Sequence, residues 1–426
     1  MNRKVCFGLM ALTFATSAWS QNGTNSPYSQ YGIGQLADQS QGFSRGMNGV
    51  GIGLRQGNIV NTLNPASYSE VDSLTMIFDM GMSGHSTNFS ETSGGTKQRI
   101  NAKNASFDYL VGSFRLRPNI GMMVGLLPVS NIGYKYTTST FLDNTNGTVT
   151  NTYEGSGGLH KVIMGAGWRV SRPLSVGVNV GYLWGTFSRS ISSSSSTSIN
   201  SLSRSYSATV KSFSADLGVQ WIKQLNKEEL LTLGATVALG HKLGAEPECI
   251  IVNGSNADTL RAADVLELPM SYGLGVTWRK GRQWLVGADV KMSSWGSVAT
   301  PVYTNTKTNT SIEDGYSYTN SYSLNAGADF VPSALSRSYF QRVHYRMGVG
   351  YSTPYYKINN GDGPSEVSVS MGVGLPLQNS YNNRSTLNVS AQWVHSSAKD
   401  LITENTFRIT LGLTFNERWF AKWKVD

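Results

Sequence analysis

The sequence has few cysteines, few prolines and, after its first 20 residues, no long apolar run. A membrane-spanning helix needs about 18 or more consecutive apolar residues, and no later stretch of the 426 residues approaches that length. Together with a mean hydropathy of −0.22, this excludes a helical membrane bundle. The 12 prolines leave long stretches free to form strands.

Residues that carry catalysis or bind metals are also scarce. The two cysteines are Cys6 and Cys249, and the five histidines are scattered without the paired spacing of a metal site. No serine lies in the context of a nucleophile with a matching histidine and acid. We therefore predict no enzyme, no metal and no cofactor. The net charge of +9 is spread without a cluster of Lys or Arg, so a nucleic-acid partner is not predicted either.

Residues 1–20 have the pattern of a secretory signal peptide. Arg3 and Lys4 form a basic start, an apolar core follows over residues 5–15, and residues 18–20 form a small-x-small cleavage site. Cleavage there would remove Cys6 and leave a single cysteine. The exported chain would then have no internal disulfide, and its stability would depend on closure of its sheet.

The pattern that is present is an alternation of apolar and polar residues with a period of two. In an extended chain, residues 406–415 place only Thr, Arg or Gly on one face. Residues 265–279 show the same alternation of a polar or small face with an apolar one. A β-barrel in a bilayer has this pattern, because lipid lies outside and a polar lumen inside. The other face of residues 406–415 is wholly apolar: Phe407, Ile409, Leu411, Leu413 and Phe415.

The alternation predicts an all-β fold, a transmembrane antiparallel barrel of about 14 strands over residues 73–415. Long and short links alternate between the strands, as expected for outer loops and periplasmic turns, and an even number of strands puts both barrel ends in the periplasm. The longer links are predicted at 84–104, 142–158 and 192–204, among others. We place the strands at 73–83, 105–116, 119–141, 159–170, 174–191, 205–222, 229–243, 265–279, 283–296, 319–330, 342–353, 366–377, 385–396 and 405–415.

Two segments flank the predicted barrel. Residues 21–72 do not alternate, are rich in glycine and retain apolar residues, so they favour a compact plug, or hatch, in the lumen over a disordered extension. The plug contains the motif Asn64, Pro65 and Ala66. Residues 416–426 form an aromatic tail that we expect at the periplasmic interface, beyond a closing strand recognised by the barrel-insertion machinery.

Several short motifs resemble the FadL/TodX family of outer-membrane transporters of hydrophobic compounds. Besides the hatch motif, residues 268–276 followed by 284–289 and 294–295 resemble that family's run of Pro, Gly-Val, Asp and Trp. Residues 345–351 fit a further strand of the same pattern. The resemblance implies an N-terminal hatch inside the barrel, a hydrophobic ligand pocket and a lateral opening at a kink in the third strand.

The third predicted strand contains Pro128 and Gly133, where a break in strand pairing is physically reasonable. The alternative is an ordinary proline near the outer rim. Inward apolar residues break the alternation elsewhere, and they either line the ligand pocket or pack the hatch. These candidate ligand-binding residues are Ile77, Met123, Leu127, Ile163, Leu183 and Leu285.

The sequence thus predicts a barrel in the outer membrane of a Gram-negative bacterium that takes up hydrophobic or amphipathic small molecules passively, such as compounds like long-chain fatty acids or aromatic hydrocarbons. Its expected partners are outer-membrane lipid, the hydrophobic ligand and the barrel-insertion machinery. Two alternatives stay open. One is a barrel that binds secreted proteins, resembling the type IX secretion shuttle, and the other is a structural surface barrel.

Overall fold

The computed structural model describes most of the chain. The predicted signal peptide and most of the predicted tail lie outside the described residues, as do the ends of several loops. The described residues are 23–73, 75–93, 96–142, 147–196, 202–245, 247–254, 256–262, 266–304, 311–313, 315–359, 361–377 and 385–418.

The described chain forms a closed antiparallel barrel of 14 strands, so the predicted fold class is confirmed. Each strand pairs with its neighbours along the chain, and the last strand pairs with the first. The barrel strands are β1 (Thr75–Ser93), β2 (Thr96–Arg117), β3 (Ile120–Leu142), β4 (Gly147–Arg169), β5 (Leu174–Ser195), β6 (Leu202–Gln224), β7 (Glu229–Ala238), β8 (Ser271–Lys280), β9 (Trp284–Ser293), β10 (Ser321–Phe330), β11 (His344–Ser352), β12 (Ser365–Leu377), β13 (Ser385–Ser397) and β14 (Thr403–Arg418).

The remaining elements are short. Two α-helices are α1 (Gly42–Arg45) and α2 (Tyr339–Arg342), and neither they nor any other helix in the described part of the chain is long and apolar enough to cross a membrane. The 3-10 helices are Pro27–Gln30, Pro65–Glu70 and Trp295–Ser297. The short strands are Gln35–Leu36, His241–Lys242, Glu248–Asn253, Asn256–Arg261, Glu267–Leu268, Val302–Thr304, Ser311–Glu313, Tyr316–Tyr318, Tyr356–Ile358 and Gly361–Asp362.

The two faces of the strands have the environments that the alternation predicts. On β14, Leu411 is 46% exposed whereas its neighbour Thr410 is 3% exposed. On β8, Leu274 is 66% exposed and points away from the lumen. An apolar outer face with small and polar residues inside is the arrangement of a barrel in lipid.

The barrel is much taller on one side than on the other. Strands β1 to β6 have 19 to 23 residues, whereas β7 to β10 have 10 each. About 9–11 residues suffice to cross a bilayer. The first six strands therefore extend far beyond the membrane as a tall outer wall.

The length of these strands shows that several predicted outer loops were placed wrongly. Residues 84–104 belong almost entirely to β1 and β2, residues 147–158 to β4, and the predicted loop at 192–204 is occupied largely by the ends of β5 and β6. The prediction failed here because the outward face of a strand outside the bilayer meets water instead of lipid. Such a strand keeps its hydrogen bonds but loses the apolar-polar alternation by which we placed it.

Residues 23–73, which we call the N-terminal segment, contact the inner face of the barrel wall. The helix Pro65–Glu70 packs against β3 to β6, and α1 packs against β12, β13, β14 and β1. Glycines on the wall leave room for this contact. A Cβ atom on Gly177 would lie 2.3 Å from the carbonyl carbon of Pro65, and one on Gly121 would lie 1.8 Å from the Tyr68 oxygen.

Candidate functional site

The barrel wall is interrupted between β2 and β3. The two strands pair from their shared turn up to Leu110 and Leu126, where their ladder ends. Above this point β2 stays paired with β1, and β3 stays paired with β4. The upper edges of β2 (residues 96–109) and β3 (residues 127–142) therefore face each other without a ladder, and we call the space between them the gap.

Pro128 lies at the foot of the gap. The register of β3 against β4 shifts between Pro128 and Ser130, and proline has no N–H to offer a neighbouring strand. Just beyond this shift, opposite Ile132 and Asn131, Gly157 and Gly158 on β4 have φ values of 120° and 149°, which side chains rarely adopt. These two glycines were not predicted from the sequence, although a Gly-Gly pair within a strand pattern is a signal for such an irregularity.

Gly133, the other residue predicted at the opening, lies further up the same edge. It is not among the glycines with positive φ, so the unusual backbone angles that we expected there are not what it contributes. Instead its N–H donates a hydrogen bond to Ser29 Oγ at 3.2 Å. β3 continues against β4 beyond Gly133, so the edge without a ladder is the one toward β2.

The N-terminal segment crosses the gap and satisfies part of both edges. Its short strand Gln35–Leu36 pairs antiparallel with Asn131 and Ser130 of β3. The N–H of Ala37 donates to the Val129 oxygen at 3.0 Å. On the other side, Asn25 Nδ2 donates to the Lys103 oxygen of β2 at 3.2 Å. Unpaired backbone groups at a membrane are costly, and the segment reduces that cost on both sides.

A cavity of about 430 Å³ lies between the N-terminal segment and the barrel wall, and we call it the lumen cavity. A second cavity, of about 370 Å³, lies partly on the outer face of the wall, and we call it the outer groove. The two share five lining residues at the foot of the gap, so they adjoin there. The shared residues are Gly23, Ser106, Phe107, Pro128 and Asn131.

The outer groove lies level with the outer edge of the apolar belt. Its lining includes Leu126, Trp184 and Lys211. On β5 the outward row runs from Val176 to Trp184 and continues as Thr186 and Ser188. Aromatic residues at the end of an apolar belt mark the membrane-water interface. The groove therefore opens near the lipid headgroups on the side of the tall wall.

The six apolar residues predicted to bind ligand do not come together. Four of them form one buried cluster with Val60, Tyr68 and Val71 of the N-terminal segment. Leu183 packs near Tyr28 and Ile33 in a second cluster, and Leu285 packs with Phe43 and Met47 in a third. None of the six borders the lumen cavity or the outer groove. Their contacts are thus those of the second alternative, packing against the segment. The four in the first cluster are Ile77, Met123, Leu127 and Ile163.

The hatch motif joins the segment to the wall. Asn64 is fully buried and precedes the helix Pro65–Glu70, and its Oδ1 accepts the N–H of Ala66 at 3.1 Å. Its Nδ2 donates to the Ile52 oxygen at 2.8 Å and to the Val219 oxygen of β6 at 3.2 Å. Pro65 occupies the first turn of the helix, where its missing N–H is not needed.

Charged groups make further contacts between wall and segment. Asp289 Oδ2 of β9 accepts the N–H groups of Gly51 at 2.6 Å and Ile52 at 2.9 Å. Arg45 lies 3.0 Å from Asp108 of β2 and 3.9 Å from Asp38. Burial alone would raise the pKa of Asp38, but Arg45 and the N–H of Ser40 together hold that pKa below its ordinary value.

A family model described as BamG matches residues 1–426. The chain belongs to the BamG family. A comparison of this BamG-family chain with curated proteins gives no match. Among solved structures, the toluene transporter TodX of Pseudomonas putida is 14% identical with a TM-score of 0.61, and the alignment covers 92% of this chain and 100% of that one.

Two further structures are similar to this BamG-family barrel. A FadL homologue of Pseudomonas aeruginosa is 13% identical with a TM-score of 0.63, covering 90% of this chain and 99% of that one. The Ralstonia pickettii toluene transporter TbuX is 13% identical with a TM-score of 0.60, covering 90% and 98%. At such identities the likeness shows the fold alone. The predicted resemblance to FadL/TodX proteins is thereby confirmed for the fold.

Proposed function

We propose that the protein is a channel in the outer membrane of a Gram-negative bacterium for the passive uptake of hydrophobic or amphipathic small molecules. The observation that carries this proposal is the gap, where the lumen cavity and the outer groove adjoin and share lining residues. The similar barrels include transporters named for toluene, which supports hydrophobic compounds as the class of ligand.

In this proposal a molecule is captured at the outer end of the barrel and enters the lumen cavity. It then leaves sideways through the gap or, after the N-terminal segment rearranges, toward the periplasm. The driving force is the concentration gradient, and selectivity comes from differential binding along the path. No covalent step is required of the chain.

Uptake by proteoliposomes tests the proposal. Ser106 lines both cavities at the foot of the gap, so Ser106→Trp is expected to narrow the passage and slow the entry of an apolar dye. Ser188→Trp, on the exposed outer face of β5, is the matched control and is expected to leave uptake unchanged. Uptake no faster than in protein-free liposomes, with a folded barrel, would refute the channel.

A second candidate function is the binding of secreted proteins, and the tall outer wall favours it. The outer face of β2 carries Lys97, Arg99 and Lys103, all exposed. Basic side chains along a strand outside the membrane suit an acidic partner. Capture of exported proteins by the intact barrel, lost on replacing all three residues with Gln while uptake persists, would support this function.

A further inference from the structure

The lining of the lumen cavity is mixed, and it carries many polar groups that a plain hydrocarbon could not bind. Of its 42 lining residues, 18 are Ser, Thr, Asn or Gln, four are Leu, Ile or Val, and five are Phe or Tyr. An apolar molecule that filled this space would remove those hydroxyl and amide groups from water without offering them hydrogen bonds, which disfavours binding.

Many of the charged groups around the cavity already bind other groups of the protein. Arg45 pairs with Asp38 and Asp108, and Glu404 accepts a hydrogen bond from Ser26 at 2.6 Å. Both signs of charge remain on the lining, which includes Lys291, Glu366 and Arg408. No single sign dominates, so the lining does not select an anion or a cation.

The uncharged polar groups of the lining suit a hydroxylated ligand. Ser323, Ser396 and Asn131, among others, border the cavity. Hydroxyl and amide side chains both donate and accept hydrogen bonds. A ligand rich in hydroxyl groups offers donors and acceptors in the same way.

The space next to the cavity is different. At the foot of the gap the path passes Phe107, and the outer groove beyond it contains Leu126 and Trp184. Val210 and Pro128 also line the groove. These apolar groups at the level of the lipid headgroups suit an apolar chain better than the lumen cavity does.

We propose that the site takes an amphiphile with an uncharged, polyhydroxylated head, such as an alkyl glycoside. The head lies in the lumen cavity, and the tail runs through the gap into the outer groove. This inference rests on the proposed function for its route, but it names a ligand class that the apolar clusters alone would not suggest. Tyr355 and Tyr356, which border the cavity, add side chains with an apolar body and a polar tip.

Ligands that share one apolar tail and differ in the head isolate the contribution of the head to binding. Octyl glucoside, octanol, octane, octanoate and octylamine are titrated calorimetrically against the full barrel in lipid nanodiscs, with the glucoside kept below the concentration at which it forms micelles. The glucoside is expected to bind about tenfold or more tightly than octanol or octane. Binding of octane or octanoate as tight as that of the glucoside would overturn the proposal.

Two variants locate the binding site. Ser323→Ala and Ser396→Ala remove hydroxyls that line the lumen cavity and change each side chain only by that one oxygen atom. Each is expected to weaken glucoside binding several-fold, about three- to tenfold, and to leave octane binding unchanged. Ser188→Ala, on the outer face of β5, is the matched control and should bind as the parent does. Unchanged glucoside affinity in both cavity variants would place the head elsewhere and refute the site.

Uptake of the same five compounds by proteoliposomes distinguishes the two proposals. If the glucoside binds but no compound is taken up faster than by protein-free liposomes, the channel fails and the ligand class stands. If octane is taken up and the glucoside does not bind, the ligand class fails and the channel stands. A barrel that still changes electrophoretic mobility on heating shows that each variant is folded.

Discussion

At the scale of the single residue, Asn64 shows how the short Asn-Pro-Ala motif holds the N-terminal segment against the barrel wall. Its side chain binds three backbone groups at once, on Ala66, Ile52 and Val219. Asn64→Ala removes an N-cap and leaves two buried oxygens with one partner fewer, so we expect local opening of the helix Pro65–Glu70 to become easier by about 1–3 kcal/mol. Hydrogen exchange at the Ala66 amide measures this. Asn64→Asp keeps only the cap acceptor, so its protection should fall between those of the parent and Asn64→Ala. Protection in Asn64→Ala equal to that in the parent would contradict the prediction.

Asp289 gives a second test at this scale. Its Oδ2 accepts two N–H groups from the N-terminal segment, and hydrogen bonds to a charged group stabilise by about 1.5–3 kcal/mol each. Asp289→Ala should therefore loosen residues 49–54, seen as faster proteolysis of the segment in the folded barrel. Asp289→Asn retains an acceptor and serves as the control. Equal cleavage of Asp289→Ala and the parent would show that these bonds do not hold the segment.

These residues also show how much of the site could be predicted from the sequence. Asn64 was predicted as part of a motif, but its partners on β6 and near Ile52 lie 155 and 12 residues away, and no local pattern specifies such contacts. The inward apolar residues were found because they break an alternation. Whether they face a ligand or the segment depends on how the segment folds back into the lumen, which the period of a strand does not encode.

At the scale of the element, the strand Gln35–Leu36 is the part of the segment that pairs with an edge of the gap. Antiparallel partners have Cα atoms about 4.5–5.5 Å apart, within the range of about 4.4–6.8 Å that a disulfide needs. Leu36→Cys with Ser130→Cys, in a Cys249→Ala background, should therefore form a disulfide that ties the segment to β3.

If movement of this strand opens the gap, the oxidised variant should reduce dye uptake by proteoliposomes toward the level of protein-free liposomes. Reductant should restore it, and each single-cysteine variant should respond to neither treatment. Full uptake by the oxidised, cross-linked protein would mean that molecules do not need this strand to move.

The strands themselves show where periodicity succeeds and where it stops. All 14 were predicted in order, because in the bilayer lipid on one side and the lumen on the other impose an alternation on every strand. The ends of β1 and β2 were missed by about ten residues each, since above the bilayer the outward face meets water instead of lipid. Similarly, β7 ends at Ala238 and β8 begins at Ser271, whereas the pattern placed strands over 229–243 and 265–279.

At the scale of the whole molecule, closure of the barrel and the entry point of the N-terminal segment depend on one strand pair, the seam between β14 and β1. β14 pairs with β1 from Thr75 and Arg418 up to Ser90 and Thr403, and the N-terminal segment ends directly before β1. The same seam that closes the barrel therefore fixes where the segment enters the lumen. Closure removes free strand edges from the membrane, and the gap between β2 and β3 is left as a place where edges persist and the segment compensates.

The position of the apolar belt leads to a prediction about the stability of the whole barrel. Leu274 is 66% exposed near the middle of β8, and Leu335 is 81% exposed in the link between β10 and β11. Arginine facing lipid at the bilayer midplane costs about 2–4 kcal/mol, and the cost falls to nearly nothing at the interface. Leu274→Arg should thus lower the free energy of unfolding in vesicles by that amount, measured in urea titrations, whereas Leu335→Arg should not. Equal stabilities of the two variants would show that the apolar face of β8 does not lie in lipid.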